Sequence, residues 1–198
     1  MSRTFPQKSP PQNPNGPVLV WKDLFTQGEL DAIEAHGDSL VPMRAALTGL
    51  GNAGIANARV TRVAWMERNP ATEWLYARLE DLVLRLNSEF YGFELYGLVE
   101  SFQYAVYDGT EGGHYDWHVD MGGKDVEPRK ISLSLQLTDA EAYSGCDLEL
   151  EAGNGTYRAE RARGTLIAFP SYVLHRVSPI QSGIRKSLVI WASGPAFR

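Results

Sequence analysis

Cysteine is nearly absent from this 198-residue chain, where Cys146 stands alone. An intramolecular disulfide is therefore excluded, and such usage fits a reducing, cytoplasmic setting. Long apolar runs are missing as well. No stretch approaches the ~18 residues of a membrane span, and the opening Met1-Ser-Arg-Thr-Phe-Pro lacks the apolar core of a secretory signal. Basic clusters are equally scarce: nineteen Lys and Arg are scattered among twenty-four Asp and Glu, leaving a net charge of −5. Electrostatic binding of nucleic acid needs a concentrated basic stripe, so neither nucleic acid nor membrane is an expected partner. Histidine is rare too, with only four in the chain, which makes the position of each informative.

What remains is ordinary globular composition, 43% hydrophobic and 22% charged. Nineteen glycines and 11% aromatics lean toward a turn-rich β fold. Residues 1–17 hold five of the eleven prolines and read as a flexible arm. Residues 18–198 read as a single domain, with 18–94 a helical support and 95–198 a β core. After a first strand over 18–21, Thr26-Gln-Gly-Glu29 has capping-box form and predicts a helix to about His36. Arg59 to Met66 alternates as a strand. Asn69-Pro70 then opens a second helix over 70–90, whose core stripe is Leu75, Leu79, Leu82 and Leu86. Strands are predicted at 95–107, 114–120, 129–138, 146–151, 155–161, 164–169, 174–179 and 185–192.

The third of these carries the cleanest alternation. Ile131, Leu133, Leu135 and Leu137 point one way, and Ser132, Ser134 and Gln136 the other. Eight short strands behind two helices imply a mostly β antiparallel sandwich or small barrel with helices on one outer face. The leucine face then meets the helices and the polar face looks into a cavity. Gly49-Leu-Gly51-Asn-Ala-Gly54 matches the dinucleotide fingerprint literally, but a strand follows it where a helix is required, so it reads as a flexible loop.

His114-Tyr-Asp116-Trp-His118-Val-Asp120 concentrates two of the histidines. Alternation places 114, 116, 118 and 120 on one strand face, where a His and an Asp can reach one metal ion. Both His114/Asp116 and His118/Asp120 satisfy that spacing. His175, after Phe169-Pro-Ser-Tyr and at the start of a new strand, supplies a third ligand. Two His and one carboxylate on one face of a metal form the triad of non-haem Fe(II) oxygenases. Arg185 follows ten residues later, beyond a glycine-containing turn, and a hairpin would return it beside the His175 strand with Ser187 on the same face. A buried guanidinium there would grip the far carboxylate of a metal-bound dicarboxylate.

His118-Val-Asp120, His175 and the Arg185-x-Ser-Leu-x-x-Trp191 ending resemble the Fe(II)/2-oxoglutarate-dependent dioxygenases, in the prolyl 4-hydroxylase-like branch that includes PKHD-type hydroxylases. The resemblance covers about residues 95–192 and selects His118 and Asp120 over the earlier pair. It implies a double-stranded β-helix (a cupin-like jelly roll) with Fe(II) on His118, Asp120 and His175, and with 2-oxoglutarate and O2 as cosubstrates. It further implies hydroxylation of an unactivated C–H bond, in a prolyl or other amino-acid residue of a protein or peptide, with release of succinate and CO2. A free amino acid or small metabolite is the alternative substrate, and ascorbate the family's reductant. Tyr107 matches a strand tyrosine that reaches toward 2-oxoglutarate, with Ser187 beside it, and Gln136 stands where a second tyrosine is common. Halogenases of this kind lack the carboxylate, so Asp120 argues against halogenation.

Trp191 shares the Arg185 face and borders either the cavity or the core. Arg129 meets a substrate carboxylate or, more simply, solvent. Trp117 falls by parity on the face opposite the ligands, and core packing is expected for it. The glycine-containing loops at 44–58 and 121–128 are candidates to close over substrate. A zinc hydrolase would share the ligand set but would leave Arg185 without a purpose. A jelly-roll module that binds metal without turnover is the rival of another class.

Overall fold

The computed structural model describes residues 16–44, 58–122, 127–153 and 155–197. In chain order the elements are β1 (Leu19–Trp21), α1 (Gln27–Ser39), β2 (Met43–Arg44), β3 (Arg59–Val60), β4 (Arg62–Met66), α2 (Glu73–Leu86), β5 (Phe102–Asp108), β6 (His114–His118) and β7 (Arg129–Gln136). They continue as β8 (Tyr143–Gly145), β9 (Leu148–Glu151), β10 (Thr156–Arg158), β11 (Leu166–Pro170), β12 (His175–Val177) and β13 (Ile180–Ser193). All strand pairings are antiparallel. The larger sheet runs β1-β11-β7-β13-β5-β4-β2, with β8 paired to one end of β13, and the smaller runs β10-β9-β12-β6-β3. The expected two-sheet jelly roll is the observed one.

Period-2 alternation divides the larger sheet between two cores. Ile131, Leu133 and Leu135 of β7, Leu188 and Ile190 of β13, and Phe102 and Tyr104 of β5 meet Leu30 and Ile33 of α1 and the Leu75/Leu79/Leu82/Leu86 stripe of α2. From the other face, Ala105, Tyr107, Ile167 and Phe169 meet Leu148, Leu150 and Val177 of the smaller sheet. Ser132, Ser134 and Gln136 look between the sheets, as their alternation predicts.

The helices start and stop for local reasons. At α1 the Thr26 side chain accepts from Glu29 N (3.3 Å) and Glu29 returns to Thr26 N (2.8 Å), so the capping box is closed. The second helix begins at Glu73 rather than 70. Asn69 Oδ1 accepts from Ala71 N (2.9 Å) and Thr72 Oγ1 donates to the Glu67 carbonyl (2.7 Å), which holds 69–72 in a turn. Its far end widens into a π turn, Asn87–Tyr91, that stops at Gly92 (φ +68°).

Two strand expectations change. Residues 95–101 are irregular and β5 begins at Phe102. More consequentially, β12 and β13 do not form a hairpin. β12 lies between β9 and β6, whereas β13 pairs with β8, then β5 and β7, in the other sheet. The predicted turn at Gly183 is instead a bend inside one long strand, with φ +79°, where a Cβ would run into the Ala142 carbonyl. The 1–17 arm up to residue 15, the Gly49–Gly54 match, and the parts of the two glycine-containing loops at 45–57 and 123–126 lie outside the described residues.

Candidate metal and cosubstrate site

A bulge decides which histidine enters the cavity. His118, the last residue of β6, lies opposite His175, the first of β12, but Val177 lies opposite Tyr115, so two residues of β6 (Asp116 and Trp117) fall against the single Arg176 of β12. Strict alternation is broken there. Tyr115 shares the inner side with His118, their rings stacked 3.5 Å apart at 15°, while Asp116 and Trp117 are both exposed. The expectation that 114, 116, 118 and 120 share a face is corrected, and the His114/Asp116 alternative falls with it. Trp117, expected in the core, is exposed and lies under the Arg176 guanidinium at 4.8 Å.

His118, Asp120 and His175 converge: one ligand atom from each lies within 4.8 Å of the others. His118 Nδ1 meets the Asp116 carbonyl at 2.7 Å and His175 Nδ1 meets the Val173 carbonyl at 2.9 Å. A carbonyl only accepts, so each Nδ1 carries a proton and each Nε2 is the nitrogen turned toward Asp120. Those Nε2 atoms stand 3.6 and 3.4 Å from the Asp120 oxygens. Asp120 Oδ2 also accepts from Ser132 Oγ (2.8 Å) and Trp191 Nε1 (3.0 Å), which fixes the carboxylate and leaves Oδ1 free of such donors. Burial alone would raise the Asp120 pKa, yet the facing imidazoles hold it well below the ordinary carboxylate value. Burial lowers His118, while at His175 the attraction of Asp120 outweighs burial and raises it. Once any Nε2 proton is given up to a metal, two imidazole nitrogens and one ionised carboxylate are a donor set that fits Fe(II).

At the other end of a cavity of about 550 Å³ sits Arg185, 1% exposed. It reaches the cavity from β13, across the sandwich from His175, rather than along a hairpin. Its Nε and Nη2 donate to Gln136 Oε1 at 3.2 and 2.9 Å, and Nη1 makes no hydrogen bond among the described residues. A buried cation with an open donor is costly unless an anion completes it. Tyr107 lies beside the guanidinium (5.5 Å to the ring centre) and Ser187 follows on the same face. Gln136 is engaged at both ends, its Nε2 donating to the Glu160 carbonyl (3.2 Å) and its Oε1 orienting Arg185.

The model of the 2OG-Fe(II) oxygenase superfamily matches residues 102–193, from the start of β5 to the end of β13. The match spans this segment, just under half of the chain. A PKHD-type hydroxylase of Aliarcobacter butzleri is 38% identical over 86 residues, covering 40% of this chain and 38% of that protein, so the chain aligns with under two fifths of that relative's length. The crystal structure of a Pseudomonas putida prolyl-4-hydroxylase superposes with a TM-score of 0.69 at 21% identity, over 91% of this chain and 94% of that one. A Trichoplax adhaerens prolyl hydroxylase, solved with a hypoxia-inducible-factor peptide fragment, superposes with a TM-score of 0.72 at 17% identity, covering 90% and 84%. At such identities the structural likeness is one of fold.

The cavity has a third region. Arg129, expected to be solvated or to meet substrate, is paired within the chain: Nε and Nη2 clasp Glu100 at 2.6 and 2.5 Å, and the guanidinium lies 3.7 Å over Trp191. Trp191 borders the cavity and is also 5% exposed, so cavity lining and burial coincide in it, and its N–H donates to the Asp120 carboxylate. Sequence reasoning did not single out Ser132 as a donor to Asp120, nor Glu100, Tyr115 or Arg59. The polar face of β7 signalled the first; the others sit in no motif, and only the fold brings them to the cavity.

Proposed function

We propose that the protein is an Fe(II)- and 2-oxoglutarate-dependent dioxygenase that hydroxylates an amino-acid residue of a peptide or protein. The observation that carries this reading is the pairing of the His118/Asp120/His175 donor set with the open, buried Arg185 in one cavity. His118, Asp120 and His175 would hold the metal, and Arg185 would take the far carboxylate of 2-oxoglutarate, with Tyr107 and Ser187 beside it. Bound iron supplies the one-electron chemistry with O2 that side chains lack. The chain's own residues orient the cosubstrate, keep the imidazoles in the Nε2-presenting tautomer, and exclude water behind Trp191 and Phe169. The relatives named as hydroxylases and the neighbour solved with a peptide support the substrate class.

The test is anaerobic titration with Fe(II) and 2-oxoglutarate, which should raise a weak visible charge-transfer band, followed by succinate release on admitting O2. Neither a zinc hydrolase nor a metal-binding module yields that band. Arg185→Ala should raise the apparent KM for 2-oxoglutarate by at least tenfold, since a charge-assisted hydrogen bond is worth about 1.5–3 kcal/mol. An unchanged KM would remove Arg185 from that role.

A further inference from the structure

The cavity holds more positive charge than the metal and cosubstrate account for. Arg59 lines it along with Arg185, and both lie close enough to Tyr107 to act on its hydroxyl. Two acids line the same space: Glu100, already clasped by Arg129, and Asp120, which faces the imidazoles. With Fe(II), Asp120, a 2-oxoglutarate dianion and Arg185 together the charges cancel. Arg59 is left as one positive charge, with no carboxylate paired to it among the described residues.

Its geometry indicates what completes it. Nε and Nη2 of Arg59 are buried and make no hydrogen bond among the described residues. Those two nitrogens form one edge of the guanidinium, the edge by which Arg129 clasps Glu100 and Arg68 clasps Glu73 in two parallel hydrogen bonds. On Arg185 the same edge is closed by Gln136 Oε1. Thr61, two residues beyond Arg59, is also buried, with its hydroxyl close enough to act on that of Tyr107. Arg59 lies 4.4 Å over the Tyr115 ring, and Tyr115 stacks on His118, so one aromatic ring separates this open fork from a metal-ligand imidazole.

We propose that Arg59 is a substrate-recognition residue whose open edge binds a carboxylate of the primary substrate. This rests on the oxygenase reading and adds the substrate's chemical class. The carboxylate is either that of a free amino acid or an Asp or Glu side chain in a peptide.

The test is calorimetric titration of the full chain, loaded anaerobically with Mn(II) and 2-oxoglutarate. The probes are free L-amino acids, the corresponding amino-acid amides, and amidated octapeptides with and without an internal Asp or Glu. Carboxylate-bearing members of one arm should bind at least tenfold more tightly than their neutral counterparts, and the arm that does so identifies the source. Arg59→Gln should abolish that discrimination while changing 2-oxoglutarate affinity less than threefold, and Arg59→Lys, which keeps the charge but lacks the fork, should fall between. Equal binding of acids and amides, or no carboxylate-dependent binding in either arm, overturns the proposal. A tenfold loss of 2-oxoglutarate affinity in Arg59→Gln also overturns it, by assigning the fork to the cosubstrate. Failure of the wild type to bind 2-oxoglutarate at all would strike the oxygenase reading itself.

Discussion

A histidine becomes a usable ligand through what its other nitrogen touches. In His118 and His175 that partner is a backbone carbonyl two residues earlier, so the tautomer is set by the local chain and not by a distant side chain. Asp120 is held differently, by Ser132 and the indole of Trp191, and the indole is in turn covered by Arg129. Outer partners of this sort typically contribute tenfold to a hundredfold in metal affinity. Trp191→Phe keeps the ring and removes the donor, and should weaken Mn(II) binding by about tenfold in calorimetric titration. Retention of the thermal midpoint would show that the loss is local.

Among the elements, β13 is the one that assembles the site, because it serves both ends of the sandwich in a single strand. Its bend at Gly183 needs a positive φ and a missing Cβ. Gly183→Ala should cost about 1–3 kcal/mol in urea unfolding, and should weaken 2-oxoglutarate more than metal, since Arg185 lies two residues away and the metal ligands lie on other strands. On the outer face of β13, Lys186 donates to Glu34 (2.9 Å) and Asp38 (2.7 Å) of α1, and Tyr104 of β5 also donates to Asp38 (2.7 Å). Burial alone would raise the Asp38 pKa, yet the Lys186 and Tyr104 hydrogen bonds hold it below the ordinary value. A depressed carboxyl contributes stability above its unfolded pKa of about 3.9 and loses it as pH falls through the lower folded value. Asp38 is half-exposed, so the tie is worth no more than about 1 kcal/mol. Asp38→Asn should accordingly lower stability at pH 7 slightly and flatten the loss between about pH 5 and pH 3, read from urea midpoints.

At the scale of the whole molecule, the fold keeps His118 at the end of β6, Asp120 just beyond it and His175 at the start of β12 within reach of one ion, and an ion bound there favours the folded state. A ligand at a hundred times its Kd stabilises the folded state by about 2.7 kcal/mol. For a chain of this length that corresponds to a rise of about 5–10 °C in Tm. Mn(II) should produce such a shift, and Asp120→Ala should erase it while leaving the metal-free Tm within a few degrees. Among the described residues, no helix is long and apolar enough to cross a membrane.

Local chemistry was legible before any fold was known. The capping box of α1, the leucine stripe of α2 and the two-faced β7 each follow from backbone hydrogen bonding and side-chain periodicity within a few residues. The residue types of the proposed site, two imidazoles with a carboxylate and an arginine ten residues beyond the second imidazole, were legible for the same reason: the chemistry demands them. What periodicity could not supply is where the period breaks. The β6 bulge, which admits Tyr115 and turns Asp116 away, depends on how β6 registers against β12. The passage of the chain from β12 to a different sheet depends on which edges remain to be paired. The capture of Arg129 by Glu100 and the openness of Arg59 depend on which charges the folded chain brings together. Such pairings join residues distant in sequence, and their energies exist only once the two sheets are packed face to face.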